Sequence, residues 1–130
     1  MLPDADRTAN IAALDCVSQL VQAEHRRDLI RYRARLHEDI IIRAGEDIIE
    51  RGADEAAIAA VREWALAPDS TPVVDDIGVA SGMVTMSYRV TAGVLPGSDG
   101  HPSDLAGHSI FEVQDDKVIR IWHHLRVVED

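Results

Sequence analysis

His123 is the side chain in this sequence best placed to move a proton, because it lies in an apolar, strand-forming run near the end of the chain. An imidazole has a reference pKa of about 6.5, so it can accept or donate a proton near neutral pH. Two interpretations stay open. His123 is a general acid or base in a pocket, or it is a core histidine that bonds Ser109 or Tyr88.

The direction of His123 follows from the last predicted hairpin, which turns at Asp115-Asp116. A register that pairs Gln114 with Val118 puts Ser109 opposite His123 on an otherwise apolar face. A slip of one residue would mix charged and apolar side chains on both faces, so this register is favoured. We therefore expect Ser109 and His123 to point into the core. The second aspartate of the turn is expected to take a positive φ.

The opposite face of the same hairpin carries Ile110 opposite Trp122 and His108 opposite His124. An apolar patch on an exposed sheet face tends to be covered. We therefore expect a homodimer whose contact is made through Trp122, His124, His108 and Ile110. The two histidines do not predict a metal site, because catalytic sites use about three protein ligands and only Glu112 stands nearby.

Three aromatic residues are candidates for contact with a small molecule. Tyr32 or Tyr88 could orient a ligand oxygen, or either could be a core residue with a satisfied hydroxyl. Trp64 could form a pocket wall or close one end of the structure. With Ser109, these residues make up the predicted substrate-binding set around His123.

Three helices are predicted to come before most of the strands. Helical spacing of apolar residues predicts helices over 8–24 and 54–66, and Asp28 is suited to cap a short helix between them. In the third helix the residues expected on the buried side are Ile58, Val61 and Ala65.

After Pro68 the spacing becomes that of strands. Strands are predicted over 71–80 and 83–91, joined by a turn at Ser81-Gly82, with a loop over 93–102. Helices first and strands afterwards predict an α+β fold, with the helices packed on one face of an antiparallel sheet.

The composition limits the class of protein. The chain has 130 residues, which fits one domain over 1–130, with residues 1–7 expected to be flexible. A formal charge of −10 argues against nucleic acid and anionic membranes as partners. The sequence has no apolar run of roughly 18 residues and no recognisable signal peptide. Cys16 is the only cysteine, so we expect a reducing, cytoplasmic location.

Several segments together resemble a known family. They are Arg27-Asp28-Leu29 followed by residues 36–40, then Ala67-Pro68-Asp69-Ser70, and finally residues 110–123, which end in Trp122-His123. In order and spacing they are similar to SnoaL-like proteins of the nuclear transport factor two-like superfamily, over roughly residues 8–127. The resemblance implies a cone-shaped curved antiparallel sheet wrapped around about three N-terminal and central helices, with a pocket in its mouth and usually a dimer.

The resemblance also implies a site. In SnoaL-like polyketide cyclases the residue after the tryptophan is an aspartate that acts as general acid or base, and here that position is His123. In related dehydratases an acid near the position of Glu24 pairs with a histidine, so Glu24 could orient His123, or it could be an exposed helix-end charge.

Two functions are compatible with this sequence. The first is an enzyme without cofactor or metal that isomerises, cyclises, dehydrates or opens an epoxide in an apolar or polyketide-like substrate, with His123 moving the proton. The second is a non-catalytic module for ligand binding or dimerisation. An interior without a cavity of roughly 300 Å³ would favour the second.

Overall fold

A computed structural model describes residues 4–95 and 101–128. These residues form three helices and six strands in the order α1 (Asp4–Arg26), α2 (Leu29–Ala34), β1 (Leu36–Ala44), β2 (Asp47–Arg51), α3 (Ala53–Leu66), β3 (Thr71–Ala80), β4 (Met83–Gly93), β5 (Ser103–Gln114) and β6 (Lys117–Val127). The predicted α+β class is confirmed. No helix among the described residues is long and apolar enough to cross a bilayer.

All six strands belong to one sheet, in the order β2-β1-β6-β5-β4-β3. The sheet is antiparallel as predicted in every neighbouring pair except β1 and β6, which run parallel. Parallel neighbours need a long connection, and most of the chain lies between these two strands. Bulges in the pairings of β3–β4, β4–β5 and β5–β6 bend the sheet into the predicted cone.

The helices cover the inner face of this cone. α1 contacts β3 to β6, and α3 contacts β1 and β2, while α2 bridges the two longer helices. Asp28 caps α2 as predicted, because its carboxylate accepts a hydrogen bond from the Arg31 backbone N–H at 3.2 Å. The side chains that are most deeply buried between helices and sheet are Cys16, Val17, Leu36, Ile40, Val84 and Val118.

The buried side of α3 differs from the prediction. Ile58 is 62% exposed and Val61 is 43% exposed, and Ala65 is exposed as well. The side chains that pack inward are small: Ala53, Ala56, Ala57 and Ala60. Methyl side chains let α3 lie close to β1 and β2, where isoleucine and valine would hold it away.

The register of the hairpin formed by β5 and β6 is confirmed where it matters for the site. Ser109 pairs with His123, and Glu112 pairs with Arg120. Both pairs lie on the predicted faces, because Ser109 is fully buried whereas Glu112 and Arg120 form an ion pair on the outside.

The register differs next to the turn. Gln114 pairs with Lys117 and not with Val118. Asp115 and Asp116 both have positive φ, at 54° and 61°, which is typical of the two-residue turns that match the twist of a hairpin. A two-residue turn requires that the residues on either side of it, Gln114 and Lys117, pair with each other. A bulge between Glu112 and Val113 then shifts the pairing back to the predicted register.

Two further elements depart from the sequence prediction. β2 lies in a segment for which no strand was predicted, and α1 begins at Asp4, four residues before the predicted start at residue 8. Residues 1–3, and residues 96–100 of the predicted loop, lie outside the described part of the chain.

Replacing Ile40 and Ile58 tests which isoleucine belongs to the core. Ile40 is fully buried, so Ile40→Ala should cost about 2–5 kcal/mol of unfolding free energy, because it removes buried methylenes and leaves a cavity. Ile58→Ala, on the exposed side of α3, should change it by less than about 0.5 kcal/mol. Urea unfolding measures both values. Equal losses would contradict the observed orientation of α3.

Candidate functional site

A cavity of about 170 Å³ lies between the ends of the helices and the inner face of the sheet. All five residues that the sequence analysis selected line this cavity: His123, Ser109, Tyr88, Tyr32 and Trp64. They come from α2, α3, β4, β5 and β6, so the fold brings together side chains that are distant in sequence.

Three of these side chains form a continuous hydrogen-bonded chain. The Tyr88 hydroxyl lies 2.7 Å from Ser109 Oγ, and Ser109 Oγ lies 2.7 Å from His123 Nδ1. Ser109 on β5 lies directly opposite His123 on β6. Tyr88 on β4 contacts Ser109 diagonally, because its direct partner on β5 is Gly107. The histidine is satisfied by Ser109, and it is also on a cavity wall.

Gly107 explains why the Tyr88 ring can take this position. Tyr88 pairs with Gly107 in the sheet, and a β-carbon added to the glycine would lie 2.7 Å from atoms of the tyrosine ring. It would also come within 2.8 Å of Leu125. The ring therefore lies over the bare backbone of β5, and a larger residue at 107 would move the phenol away from Ser109.

The interior holds His123 and Tyr88 in their neutral forms. Burial, with a smaller contribution from neighbouring His124, lowers the pKa of His123 to about 4. Burial raises the pKa of Tyr88 to about 12, against the opposite effect of its bond to Ser109. At neutral pH the site thus contains an unprotonated imidazole and a protonated phenol, joined through a serine hydroxyl.

Three carboxyl groups line the same cavity. Burial, with a smaller contribution from nearby carboxylates, raises the pKa of Glu63 to about 8 and that of Glu50 to about 7. Burial also raises the pKa of Glu24, although this side chain is the most exposed of the three and solvent screens its charge. Because the cavity is poorly solvated, and repulsion between carboxylates adds a smaller effect, Glu50 and Glu63 hold protons at a pH where an ordinary glutamate has lost them.

The sequence analysis missed Glu50 and Glu63. Glu50 pairs with Ile42, and the register shift beside this pair turns Glu50 to the inner face while Ile48 becomes exposed. Glu63 continues the inward-facing alanine stripe of α3, three residues after Ala60. A search for small residues at helical spacing would have found Glu63, but no pattern in the sequence indicates the bulge that turns Glu50 inward.

Glu24 shares the cavity with His123 but does not hold it in place. Among the described residues no hydrogen bond joins Glu24 to His123. The Nδ1 atom of His123 bonds Ser109 instead. On the outer face, His108 bonds Ser87 at 3.2 Å, and His124 is exposed. Within 4–95 and 101–128 there is no group of three metal-ligating side chains close enough to hold an ion.

Glu63→Gln should change how stability depends on pH. The pKa of Glu63 is about 8 in the folded protein against an ordinary 4.5, so the folded state keeps a proton that the unfolded state loses. This contribution to stability is complete below about pH 4.5 and disappears as the pH rises to about 8. As the pH rises from about 4.5 to about 8, the melting temperature of the wild type should therefore fall more than that of the variant, by on the order of 5 °C.

The matched control for that experiment is Glu46→Gln. Glu46 is exposed in the turn between β1 and β2, so its replacement removes one carboxylate without touching the cavity. Thermal unfolding followed by circular dichroism over the pH range gives the three curves. Parallel curves for wild type and Glu63→Gln would show that Glu63 ionises in the folded protein as it does in water.

Comparison with known proteins agrees with this architecture. The sequence profile of the SnoaL-like domain matches residues 17–121. No curated protein sequence matches the chain at a significant level. Among solved structures, a protein from Kribbella flavida assigned as a ketosteroid isomerase has 15% identity and a TM-score of 0.75, covering 93% of this chain and 82% of its own.

Two other solved structures show the same fold. An LEH-like epoxide hydrolase from M. tuberculosis has 17% identity and a TM-score of 0.74, covering 90% of this chain and 84% of its own. IdmH from Streptomyces antibioticus, assigned as a polyketide cyclase, has 22% identity and a TM-score of 0.67, covering 87% and 91%. At these identities the likeness establishes the fold alone, while the profile match spans most of the sequence. The chain belongs to the SnoaL-like domain family of the nuclear transport factor two-like superfamily.

Proposed function

We propose that this protein is a small-molecule enzyme that uses general acid–base chemistry. The observation that carries the proposal is the hydrogen-bonded chain from Tyr88 through Ser109 to His123 on the wall of the cavity. The reaction is an isomerisation, cyclisation, dehydration or epoxide opening of an apolar or polyketide-like substrate. His123 moves the proton, and Ser109, Tyr88, Tyr32 and Trp64 bind the substrate.

The three hydrogen-bonded side chains can take up one proton from the substrate and give another back in a single event. In the tautomer with a proton on Nδ1, His123 donates to Ser109 Oγ, and Ser109 donates to the Tyr88 oxygen. Nε2 then accepts a proton from substrate carbon while Tyr88 gives its proton to substrate oxygen. Ser109 reprotonates Tyr88, and Nδ1 reprotonates Ser109. The imidazole ends neutral with its proton on Nε2, so no charge accumulates on the protein.

The pKa of His123 suits the basic half of this event. At a pKa of about 4, the imidazole is unprotonated throughout the neutral range. Activity that depends on the free base should be complete above about pH 5 and fall as the pH drops through about 4. The pKa of about 12 for Tyr88 keeps its proton available over the same range.

The names of the structural neighbours support this reaction class without identifying the reaction. They include an isomerase, an epoxide hydrolase and a cyclase, all at low identity. No cofactor is needed for such steps, because a positioned base and a hydrogen-bond donor to the developing oxyanion lower the barrier together. The single cysteine, Cys16, supports a cytoplasmic location for the enzyme.

A non-catalytic binding module is the second candidate, and the cavity volume favours it. The cavity of about 170 Å³ is smaller than the roughly 300 Å³ of pockets that enclose drug-sized ligands. The enzyme hypothesis is therefore restricted to small substrates. Under the second candidate, replacing His123 would weaken ligand affinity or stability, and no wild-type reaction would be detected.

His123→Gln tests the catalytic assignment. The glutamine amide can still bond Ser109 but cannot act as a base, so turnover should fall by about 10²–10⁴-fold with little change in melting temperature. The assay follows a panel of small ketones, epoxides and β-hydroxy carbonyl compounds in D₂O by NMR, which detects exchange at carbon as well as product.

Two further variants complete this experiment. Tyr88→Phe removes only the phenol and should also lose activity, whereas His108→Gln alters an exposed imidazole on the outer face and should not. Wild-type rates in His123→Gln would overturn the role of His123. No exchange or product with any compound of the panel would favour the binding module.

We also propose a homodimer through the outer face of β5 and β6. Ile110 and Trp122 are only half-buried there, and they pair across the two strands beside exposed His108 and His124. A second copy of the chain would cover this mixed apolar face through a two-fold axis.

The double variant His108→Asp/His124→Asp should dissociate this dimer. Four new carboxylates would face one another across the two-fold axis, and like charges at an interface cost several kcal/mol. Sedimentation equilibrium should give a dimer for the wild type and a monomer for the variant, with unchanged circular dichroism. A wild-type monomer, or a variant that stays dimeric, would contradict the proposed interface.

A further inference from the structure

The carboxyl groups of Glu24, Glu50 and Glu63 line the cavity without a cationic partner. None of the ion pairs within 4–95 and 101–128 includes any of them. Arg27 and His25 also line the cavity, but the Arg27 guanidinium donates to the Ala67 carbonyl oxygen at 2.9 Å. In the described part of the chain these three carboxyl groups therefore form no ion pair, although Arg27 and His25 lie on the same cavity wall.

Glu50 is the most deeply buried of these three unpaired carboxyl groups. Only 9% of the residue is exposed, and its Oε2 atom is sealed from solvent without a hydrogen-bond partner in the described residues. A buried carboxyl without a donor costs on the order of 1–3 kcal/mol. Buried polar groups that stay unsatisfied in a folded protein commonly mark a place where a missing partner belongs. Because Glu50 also lines the cavity, a ligand with a positively charged donor would supply that partner.

Two helices add negative potential at the same place. Glu24 lies in the last turn of α1, and Glu63 lies in the last turn of α3. The carboxyl end of a helix carries roughly half a negative charge, which disfavours ionised glutamates there and favours a cation. The cavity thus attracts positive charge through the backbone as well as through its side chains.

The aromatic wall of the cavity fits the same ligand. The rings of Tyr32 and Trp64 meet edge to face, with centroids 5.9 Å apart and planes at 80°. Burial and the three glutamates raise the pKa of the Tyr32 phenol well above 10.0, so this wall stays neutral beside the carboxyls. A cation held over an aromatic face gains roughly 0.5–2 kcal/mol, and most when it is desolvated.

We propose that the cavity recognises a small organic molecule with a protonated amine, which Glu50 and Glu63 bind beside the rings of Tyr32 and Trp64. The apolar remainder of the molecule extends along the cavity toward Tyr88 and His123. This inference deepens the proposed function, on which it rests, because it names the substrate class of the same site. A protonated amine supplies a donor to Glu50 Oε2 and a counter-charge when Glu50 and Glu63 ionise, which neither an anionic nor an apolar neutral molecule does.

Proton release gives this proposal a distinctive signature. The pKa of Glu50 is about 7 and that of Glu63 about 8 in the unliganded protein. A bound ammonium group favours their charged forms, so it displaces protons and binds more tightly as the pH rises. A neutral ligand that accepts hydrogen bonds from the protonated carboxyls would show the opposite dependence.

The test uses n-pentylammonium as the probe and 1-pentanol as its neutral counterpart of similar size. An alkylammonium has a pKa of about 10.4, so the probe keeps its charge between about pH 6 and about pH 9. Isothermal titration calorimetry in two buffers of different ionisation enthalpy measures affinity and protons released. We expect the ammonium to bind at least about tenfold more tightly than the alcohol, with affinity increasing toward pH 9.

Variants assign this binding to the carboxyl groups. Glu50→Gln and Glu63→Gln should each weaken pentylammonium binding by at least about tenfold and reduce proton release, and Glu46→Gln should leave both unchanged. If Glu50→Gln fails to fold, Glu63→Gln gives the same answer from a different element. Equal affinity for alcohol and ammonium, or wild-type affinity in the folded variants, would overturn the proposal.

The two proposals for this site can fail separately. His123→Gln should retain the preference for pentylammonium, because the imidazole takes no part in holding the amine. Binding of the ammonium without any turnover would remove the catalytic proposal and keep this one. Turnover that requires His123 on substrates without an amine would do the reverse.

Discussion

The pairing of β5 with β6 is the contact on which the site depends. β5 lies between β6 and β4 in the sheet, so one fully buried residue, Ser109, faces His123 on one side and reaches Tyr88 on the other. A change of register by one residue would keep one of Ser109 and His123 inside and turn the other to the outer face, so the contact between them would be lost. The aspartate turn and the bulge beside it hold that register, and the Glu112–Arg120 ion pair on the outside joins residues that face each other in it.

Removal of water sets the electrostatics of the cavity. The same burial that keeps His123 unprotonated keeps protons on Glu63 and Tyr88, because a poorly solvated site favours the neutral form of acids and bases alike. His123, Glu63 and Tyr88 are therefore uncharged near neutral pH although all three are ionisable. Such groups are costly to bury, and the alanine packing of α3 and the apolar core around Ile40 and Val84 offset that cost.

The SnoaL-like fold supplies this arrangement as a frame and leaves its chemistry to individual side chains. Neighbours of the same shape carry names of different reactions at identities of 15–22%. In this chain those side chains are a histidine at 123, a serine that links it to Tyr88, and carboxyls on β2 and α3 that face the same cavity. The hydrogen bonds that join Tyr88, Ser109 and His123 are a separate feature from the carboxyls of Glu50 and Glu63, and each feature has its own experimental readout.

The sequence by itself determined where regular alternation makes strands, and which side chains of the last hairpin point inward. Period-2 alternation over 83–91 identified the face that carries Tyr88, and opposition of apolar residues identified His123 and Ser109 as inward-facing. These inferences hold because side-chain direction in a strand depends only on register, and register depends on which side chains can share a buried face.

Only the tertiary structure decided which side of α3 is buried and which carboxyls enter the cavity. Apolar residues such as Ile58 were expected inside, but close approach of α3 to the sheet selects the alanine face, and Glu63 follows that face inward. Glu50 is turned inward by a bulge in β2 pairing, which no local pattern encodes. Both outcomes depend on how closely separate elements pack, and the spacing of the large apolar residues along the chain does not give that distance.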